Sequence, residues 1–77
     1  MSDSVPYKTF VILSDVQERE IEGRPMFINV VDICPNFGGE CHRLADIPAC
    51  NTLDEALNSG REYGKRWVNQ RLATEAG

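Results

Sequence analysis

The sequence contains few of the residues on which catalysis and metal binding depend. Among 77 residues there is one histidine, and there are three cysteines. Gly38 and Gly39 are followed by neither the lysine nor the helix of a phosphate-binding loop. No apolar run approaches the roughly 20 residues that cross a bilayer. We therefore predict a protein that is not an enzyme, holds no cofactor or metal and makes no membrane contact.

Size and charge favour one small domain with a protein partner. A chain of 77 residues has room for a single core, so we predict one domain over residues 1–77. The net charge is −4, and the four basic residues after position 55 give the C-terminal third a positive excess. A dense basic face, which nucleic-acid-binding proteins usually carry, is absent. The first six residues lack the features of a secretory signal, which predicts a cytoplasmic location.

Three segments have the composition of β-strands. Residues 7–14 and 25–33 are rich in β-branched and aromatic side chains, and a weaker strand is expected over residues 40–47. The polar stretch from Asp15 ends in Glu22-Gly23-Arg24-Pro25, which predicts a reversal between the first two strands. Together these strands predict a long hairpin followed by a third strand.

The last third of the chain predicts an amphipathic helix over about residues 53–71, followed by a loose tail over residues 73–77. Thr52 and Glu55 have the spacing of a capping box at its start. Gly60 and Gly64 lie in the middle of its apolar stripe, although each glycine costs about 1 kcal/mol relative to alanine in a helix. We therefore expect a close approach between this helix and a large side chain of the sheet, with Phe10 or Phe27 as the best candidates.

The predicted fold is α+β: a three-stranded antiparallel sheet (a β-β-β-α meander) with one C-terminal helix packed on one face. Both faces of the first strand are apolar, with Phe10 and Ile12 on one side and Val11 and Leu13 on the other. One helix cannot cover both. The uncovered face is either an irregularity at the strand ends or a surface buried against a second copy or another protein.

Cys34, Cys41 and Cys50 are predicted to be free thiols. Their spacing does not match a structural zinc site. Cys41 and His42 are neighbours on a predicted strand, so their side chains point to opposite faces, which argues against a thiol nucleophile beside a base. A disulfide between Cys34 and Cys41 is geometrically possible, but a reducing cytoplasm disfavours it.

Two groups of charged residues are candidate interaction sites. The basic group lies on the helix and the acidic group between the first two strands. The candidates are Arg61, Lys65, Arg66, Glu18, Glu20 and Glu22. A solvated surface is the simpler reading of both groups, but the carboxylates could meet a basic partner, and the cations could bind phosphates if Arg71 joined them.

The helix also resembles a known type of chain. Thr52-Leu53-Asp54-Glu55-Ala56, Gly60 and Tyr63-Gly64-Lys65-Arg66-Trp67-Val68 resemble the closing helix of small uncharacterised bacterial proteins that have a strand-rich first half and end in a Tyr-Gly-Arg-Arg-Trp-Ile-Asp-like run. Tyr7-Lys8 and Gly23-Arg24-Pro25 are also similar, whereas the segment from Cys34 to Cys50 departs from the pattern. The resemblance implies a compact α+β domain, similar in outline to the sheet-plus-helix half of double-stranded RNA-binding domains, and it carries no assigned activity.

The sequence therefore favours a small non-enzymatic binding or adaptor domain that acts through protein–protein contacts, with self-association through the uncovered sheet face as one version. The alternatives are a nucleic-acid-binding module that uses the basic flank of the helix, and a phage-type inhibitor such as an anti-CRISPR protein, suggested by small size and acidic character.

Overall fold

A computed structural model of the protein describes residues 2–45 and 47–76. These described residues form a four-stranded antiparallel sheet in the order β1-β2-β3-β4, followed by one long helix. The elements are β1 (Ser2–Tyr7), β2 (Phe10–Ile21), β3 (Arg24–Pro35), β4 (His42–Arg43) and α1 (Leu53–Ala76). The predicted α+β class, antiparallel meander and C-terminal helix are confirmed. The sheet has four strands rather than three, and the fourth is only two residues long.

The predicted first strand over residues 7–14 is divided between two strands. Lys8 adopts a left-handed backbone (φ 55°) in the tight turn after β1, and β2 begins at Phe10. The polar stretch from Asp15, which was expected to be a connection, continues β2 to Ile21. It is extended because each of its residues pairs with β3, from Asp15 opposite Val30 to Ile21 opposite Arg24. Pairing in the sheet overrides the weak strand propensity of these polar residues.

The boundaries of the later elements also differ from the prediction. Among the described residues of the expected strand over residues 40–47, only His42–Arg43 is paired as a strand, and Asp46 lies outside the described residues. Leu44 donates a further backbone hydrogen bond to Val31. The helix ends at Ala76 instead of about residue 71, so residues 73–76 are helical, and Gly77 lies outside the described residues. An ion pair between Arg71 and Glu75 on successive turns (Nε–Oε1 2.8 Å) and packing of Leu72 against the core stabilise the extra turn.

The β2–β3 turn is formed by Glu22 and Gly23, as the sequence predicts. Both have positive φ (52° and 77°), as in the two-residue type I′ turn that matches the twist of a hairpin. The turn sets the register of the two 12-residue strands. Residues 18–25 around it are all exposed, and the molecule is elongated, with extents of 46 × 21 × 18 Å.

The core lies between the helix and one face of the sheet. Ile12, Val31, Ile33 and Val68 are almost completely buried. The helix starts as predicted, because the Thr52 hydroxyl accepts a hydrogen bond from the Glu55 backbone N–H (3.1 Å).

The close approach expected at Gly60 and Gly64 is present, but the sheet residues beneath them are different. A Cβ at Gly64 would lie 2.7 Å from Cγ2 of Ile12, and a Cβ at Gly60 would overlap the side-chain amide of Asn29. Neither Phe10 nor Phe27 is among the atoms nearest to these positions. Phe10 instead meets the edge of Trp67, with ring centroids 5.8 Å apart.

Candidate functional site

Within residues 2–45 and 47–76, no helix lies over one face of the sheet, and we call the β2 and β3 side chains on that face the open face. The strands alternate, so that Phe10, Ile12, Ser14 and Val16 of β2 are buried on the helix side while the intervening side chains point away. The open face consists of Val11, Leu13, Asp15, Gln17, Arg19 and Ile21 of β2 and Arg24, Met26, Ile28, Val30, Asp32 and Cys34 of β3.

Four apolar side chains of the open face are neighbours, and we call Val11, Leu13, Ile28 and Val30 its apolar centre; Asp15 and Gln17 lie beside them on β2. Val11, Ile28 and Val30 are half-buried only by their neighbours on the sheet, and Leu13 is 38% exposed. Among the described residues, the large apolar side chains that are exposed are Leu13 and Ile21, both on this face, and Phe37. Leu13 is contiguous with the half-buried Val11 and Val30, whereas Ile21 lies apart from them next to the turn. A contiguous apolar group that is partly exposed is typical of a surface that contacts another molecule.

An ion pair borders the apolar centre. Arg43 of β4 holds Asp32 of β3 through two parallel hydrogen bonds, Nε–Oδ1 at 2.9 Å and Nη2–Oδ2 at 3.1 Å. The hydrogen bond from Arg43 lowers the pKa of the Asp32 carboxyl, and the same bond raises the pKa of Arg43. The pair lies beside a shallow depression of about 640 Å³. The depression is lined by Ser2, Asp3, Ser4, Leu13, Ser14, Asp15, Val30, Asp32 and Arg43.

The charges of the open face are separated along the hairpin. Each β2 residue of the open face and the β3 residue paired with it form one row across the hairpin. Asp15 and Asp32 lie in adjacent rows toward the β1 end, whereas Arg19 and Arg24 lie in the last two rows before the turn. Arg19 donates a hydrogen bond to Gln17 (2.8 Å), and within residues 2–45 and 47–76 neither Arg19 nor Asp15 has an ion-pair partner. The acidic side chains thus lie among the apolar residues toward the β1 end, and the row of Gln17 and Ile28 separates them from the basic residues near the turn.

The predicted basic residues of the helix do not form one continuous cationic face. Arg61 is paired with Asp3 of β1 (Nη2–Oδ2 2.8 Å), and Arg71 is paired with Glu75. Lys65 and Arg66 have no carboxylate within ion-pair distance among the described residues, and each lies near an aromatic ring instead.

Tertiary packing adds Lys8 to this group, which the sequence pattern does not indicate. The Lys8 ammonium donates to Oδ1 of Asn69 (2.6 Å), and the Tyr7 hydroxyl donates to the same oxygen (3.0 Å). The Lys8 and Lys65 ammonium groups lie 5.3 and 5.7 Å from the centroid of the Tyr7 ring. Tyr7 and Lys65 also line a shallow depression, together with Arg66 and Glu62. Because Lys8 is in a turn far away in the sequence, no local signal could have revealed it.

The predicted acidic residues are separate from both surfaces. Glu18 and Glu20 lie on β2 on the side opposite the open face, and Glu22 is in the turn. All three are exposed at the tip of the hairpin. The structure therefore brings the carboxylates near one another but does not bring them together with Arg61, Lys65 or Arg66.

The cysteines differ from the prediction. Cys34 and Cys41 form a disulfide that joins the end of β3 to the residue before β4, and Cys50 is free. The expectation of three free thiols is therefore wrong for the first two, because the turn between them brings their Cα atoms to 4.3 Å. Within the described part of the chain, no group of three His, Cys, Asp or Glu side chains is arranged to hold a metal ion.

The disulfide closes a loop that presents Phe37, which is 83% exposed. A groove of about 820 Å³ lies between this loop and the last turns of the helix. His42 stacks on Trp67 on one wall of the groove, with ring centroids 4.8 Å apart and the planes 15° from parallel. His42 therefore has a packing contact there, and its neighbour Cys41 is held in the disulfide.

Comparisons with known proteins add no relationship. A scan against protein-family models, a search of curated proteins and a search of solved structures each gave no match. The resemblance to small bacterial α+β proteins stays a prediction. In the described part of the chain, no helix combines the length and apolar character needed to cross a membrane.

Proposed function

We propose that this protein is a small non-enzymatic binding domain that associates with a protein partner through the open face. The observation that carries the proposal is the uncovered apolar centre around Leu13, bordered by charged groups of both signs. Apolar centres with a polar rim are typical of protein–protein interfaces. A sheet face exposed only to water usually shows a cleaner alternation of apolar and polar side chains.

A charge placed in the apolar centre tests the proposal. Tagged wild-type protein, Leu13→Lys and the matched control Asn58→Lys are incubated with a lysate of the source cells, and the bound proteins are quantified. Asn58 is exposed on the helix, so this control adds the same charge elsewhere. We expect a partner that wild type and Asn58→Lys retain and Leu13→Lys loses. Identical binding by all three proteins would contradict the proposal.

A second candidate function is nucleic-acid binding, favoured by Lys8 and Lys65 beside the Tyr7 ring and by Arg66, which lines the same depression as Tyr7 and Lys65. Two observations weaken the case for nucleic-acid binding. Arg61 and Arg71 are held by carboxylates, and the three remaining cations supply only a small part of the positive charge that proteins usually use to bind a phosphate backbone. Fluorescence anisotropy with duplex RNA and DNA across a salt titration tests it. No binding at low salt would end this alternative, and Lys65→Glu should weaken any binding that is seen.

The proposal includes a cytoplasmic location, where glutathione and thioredoxin keep most thiols reduced. In that compartment the Cys34–Cys41 disulfide is expected to open. Thiol trapping in intact cells followed by mass spectrometry tests this part of the proposal. Quantitative recovery of the disulfide from resting cells would contradict the cytoplasmic location.

A further inference from the structure

We infer that the occupant of the open face is a second copy of this chain, packed face to face with its β2 and β3 strands running in the opposite direction. This inference rests on the proposed function and adds the identity and orientation of the partner. Three observations support it: the shape of the face, the order of its charges and the availability of the groups that would pair.

The shape of the open face suits packing of one sheet on another. β2 and β3 each have 12 residues, which gives a strip about 40 Å long at roughly 3.4 Å per residue. Two such sheets pack about 10 Å apart with their side chains interdigitated. A two-fold axis lying between the sheets, perpendicular to the strands and midway along the strip, brings the row of Asp15 and Val30 against the row of Gln17 and Ile28 of the other copy. Val30 of each copy then meets Ile28 of the other.

The order of charges selects this orientation. With the perpendicular axis, the row of Arg19 lies against the row of Leu13 and Asp32, so Arg19 reaches the neighbouring Asp15 of the other copy. With the axis along the strands, each row lies against its own equivalent. Asp15 then lies near the second Asp15, and Arg19 near the second Arg19. Like charges facing one another across an interface are unfavourable, so the first orientation is preferred.

The groups that would pair across the interface are free to do so. Asp32 is already held by two hydrogen bonds from Arg43, which leaves Asp15 as the acid without an ion-pair partner on this face. Arg19 is exposed and, among the described residues, it is hydrogen-bonded only to Gln17. Because the interface is two-fold symmetric, each copy supplies both members, and two equivalent Arg19–Asp15 contacts form.

The area implies a weak dimer. The strip of β2 and β3 covers roughly 400 Å² per copy, estimated from strand dimensions, against about 800 Å² per partner in a standard interface. We therefore expect dissociation in the micromolar range. Sedimentation from low-micromolar to near-millimolar protein should show one monomer–dimer equilibrium.

Charge reversal tests the orientation. Arg19→Asp and Asp15→Arg should each be monomeric, with an association constant lowered at least tenfold, because each places like charges across the axis. The matched control, Arg66→Asp on the helix, changes the net charge as Arg19→Asp does and should dimerise like wild type. Mixing Arg19→Asp with Asp15→Arg should produce a one-to-one heterodimer, since opposite charges then meet at both contacts. Circular dichroism verifies that each variant is folded.

The outcomes separate this inference from the proposed function. The inference is overturned if the wild-type protein stays monomeric from low-micromolar to near-millimolar concentration. It is also overturned if mixing Arg19→Asp with Asp15→Arg gives no heterodimer. If such a monomer still binds another protein that Leu13→Lys loses, the open face is a binding surface and only its occupant was wrong. If no binding depends on Leu13, both fail. A dimer that Leu13→Lys disrupts and Arg19→Asp does not also overturns the inferred orientation.

Discussion

Replacing Gly64 with alanine is the most direct test of how the helix meets the sheet. The added Cβ would lie 2.7 Å from Cγ2 of Ile12, 3.0 Å from its Cδ1 and 3.1 Å from its Cγ1. Carbon atoms in comfortable contact are about 3.5–4.0 Å apart, so the two elements must separate by nearly 1 Å. Ile12 is fully buried and cannot turn away.

The magnitude follows from two opposing effects. Alanine in place of glycine favours the helix by about 1 kcal/mol. Overpacking a filled core costs about 1–3 kcal/mol, and three Ile12 atoms within 3.1 Å put this change in the upper part of that range, about 2–3 kcal/mol. We expect a net loss of about 1–2 kcal/mol, which lowers the Tm of a domain of this size by about 4–15 °C. Urea denaturation followed by circular dichroism measures this loss. The larger Gly64→Leu change should prevent folding or disrupt it severely.

A double-mutant cycle identifies the contact responsible. In the background of Ile12→Ala, which removes all three nearby atoms, Gly64→Ala should no longer destabilise and should recover the helix preference of about 1 kcal/mol. If Gly64→Ala is neutral or stabilising with Ile12 intact, the close approach described here is refuted. If its cost is the same in both backgrounds, the steric conflict lies elsewhere.

The disulfide, the Asp32–Arg43 pair and Trp67 of the helix each allow a further test. Reducing the Cys34–Cys41 disulfide should lower the free energy of unfolding by up to about 2.5 kcal/mol, as expected for a loop of this length. Urea melts with and without reductant measure this loss, and an unchanged midpoint would contradict the prediction. Arg43 lowers the pKa of Asp32, so the contribution of the Asp32 carboxylate to stability is present at neutral pH and lost as the pH falls below about 4. The difference in unfolding free energy between wild type and Asp32→Asn should therefore shrink in acid. A difference that grows in acid would be inconsistent with the Asp32–Arg43 pair. Trp67→Ala should lower the free energy of unfolding by about 3 kcal/mol, the low end for aromatic truncation, because the ring is partly exposed. Thermal melts measure this loss, and a value below about 1 kcal/mol would mean that the contacts of Trp67 with Phe10 and His42 contribute little.

Local signals in the sequence were read correctly where neighbouring residues determine the structure. The start of the helix depends on Thr52 and Glu55, three positions apart, and their capping hydrogen bond is present. The hairpin turn depends on Gly23 and its neighbour, which have the backbone angles that the turn requires. In both cases the physical cause lies within four residues, so the sequence alone carries it.

Elements that depend on distant partners were misread or missed. The N-terminal strand is mostly polar, and it is extended because it pairs with β2 in register from Ser2 opposite Asp15 to Tyr7 opposite Phe10. The sequence prediction of free thiols at Cys34 and Cys41 rests on a reducing compartment, whereas the geometry of the loop between them allows the disulfide that forms. Of the candidate site, the existence of an uncovered apolar face was anticipated, whereas the contribution of Lys8 to the basic cluster was not.

The sequence by itself determined that a helix with two glycines on its apolar stripe would pack closely on an antiparallel sheet, because periodicity and capping are local properties of the chain. Only the tertiary structure decided what lies beneath those glycines and which face remains open. The register between β2 and β3 puts Ile12, Asn29 and Val31 under the helix and turns Leu13, Asp15 and Arg19 outward. A shift of one residue would exchange the two faces, and that choice depends on packing across the whole sheet.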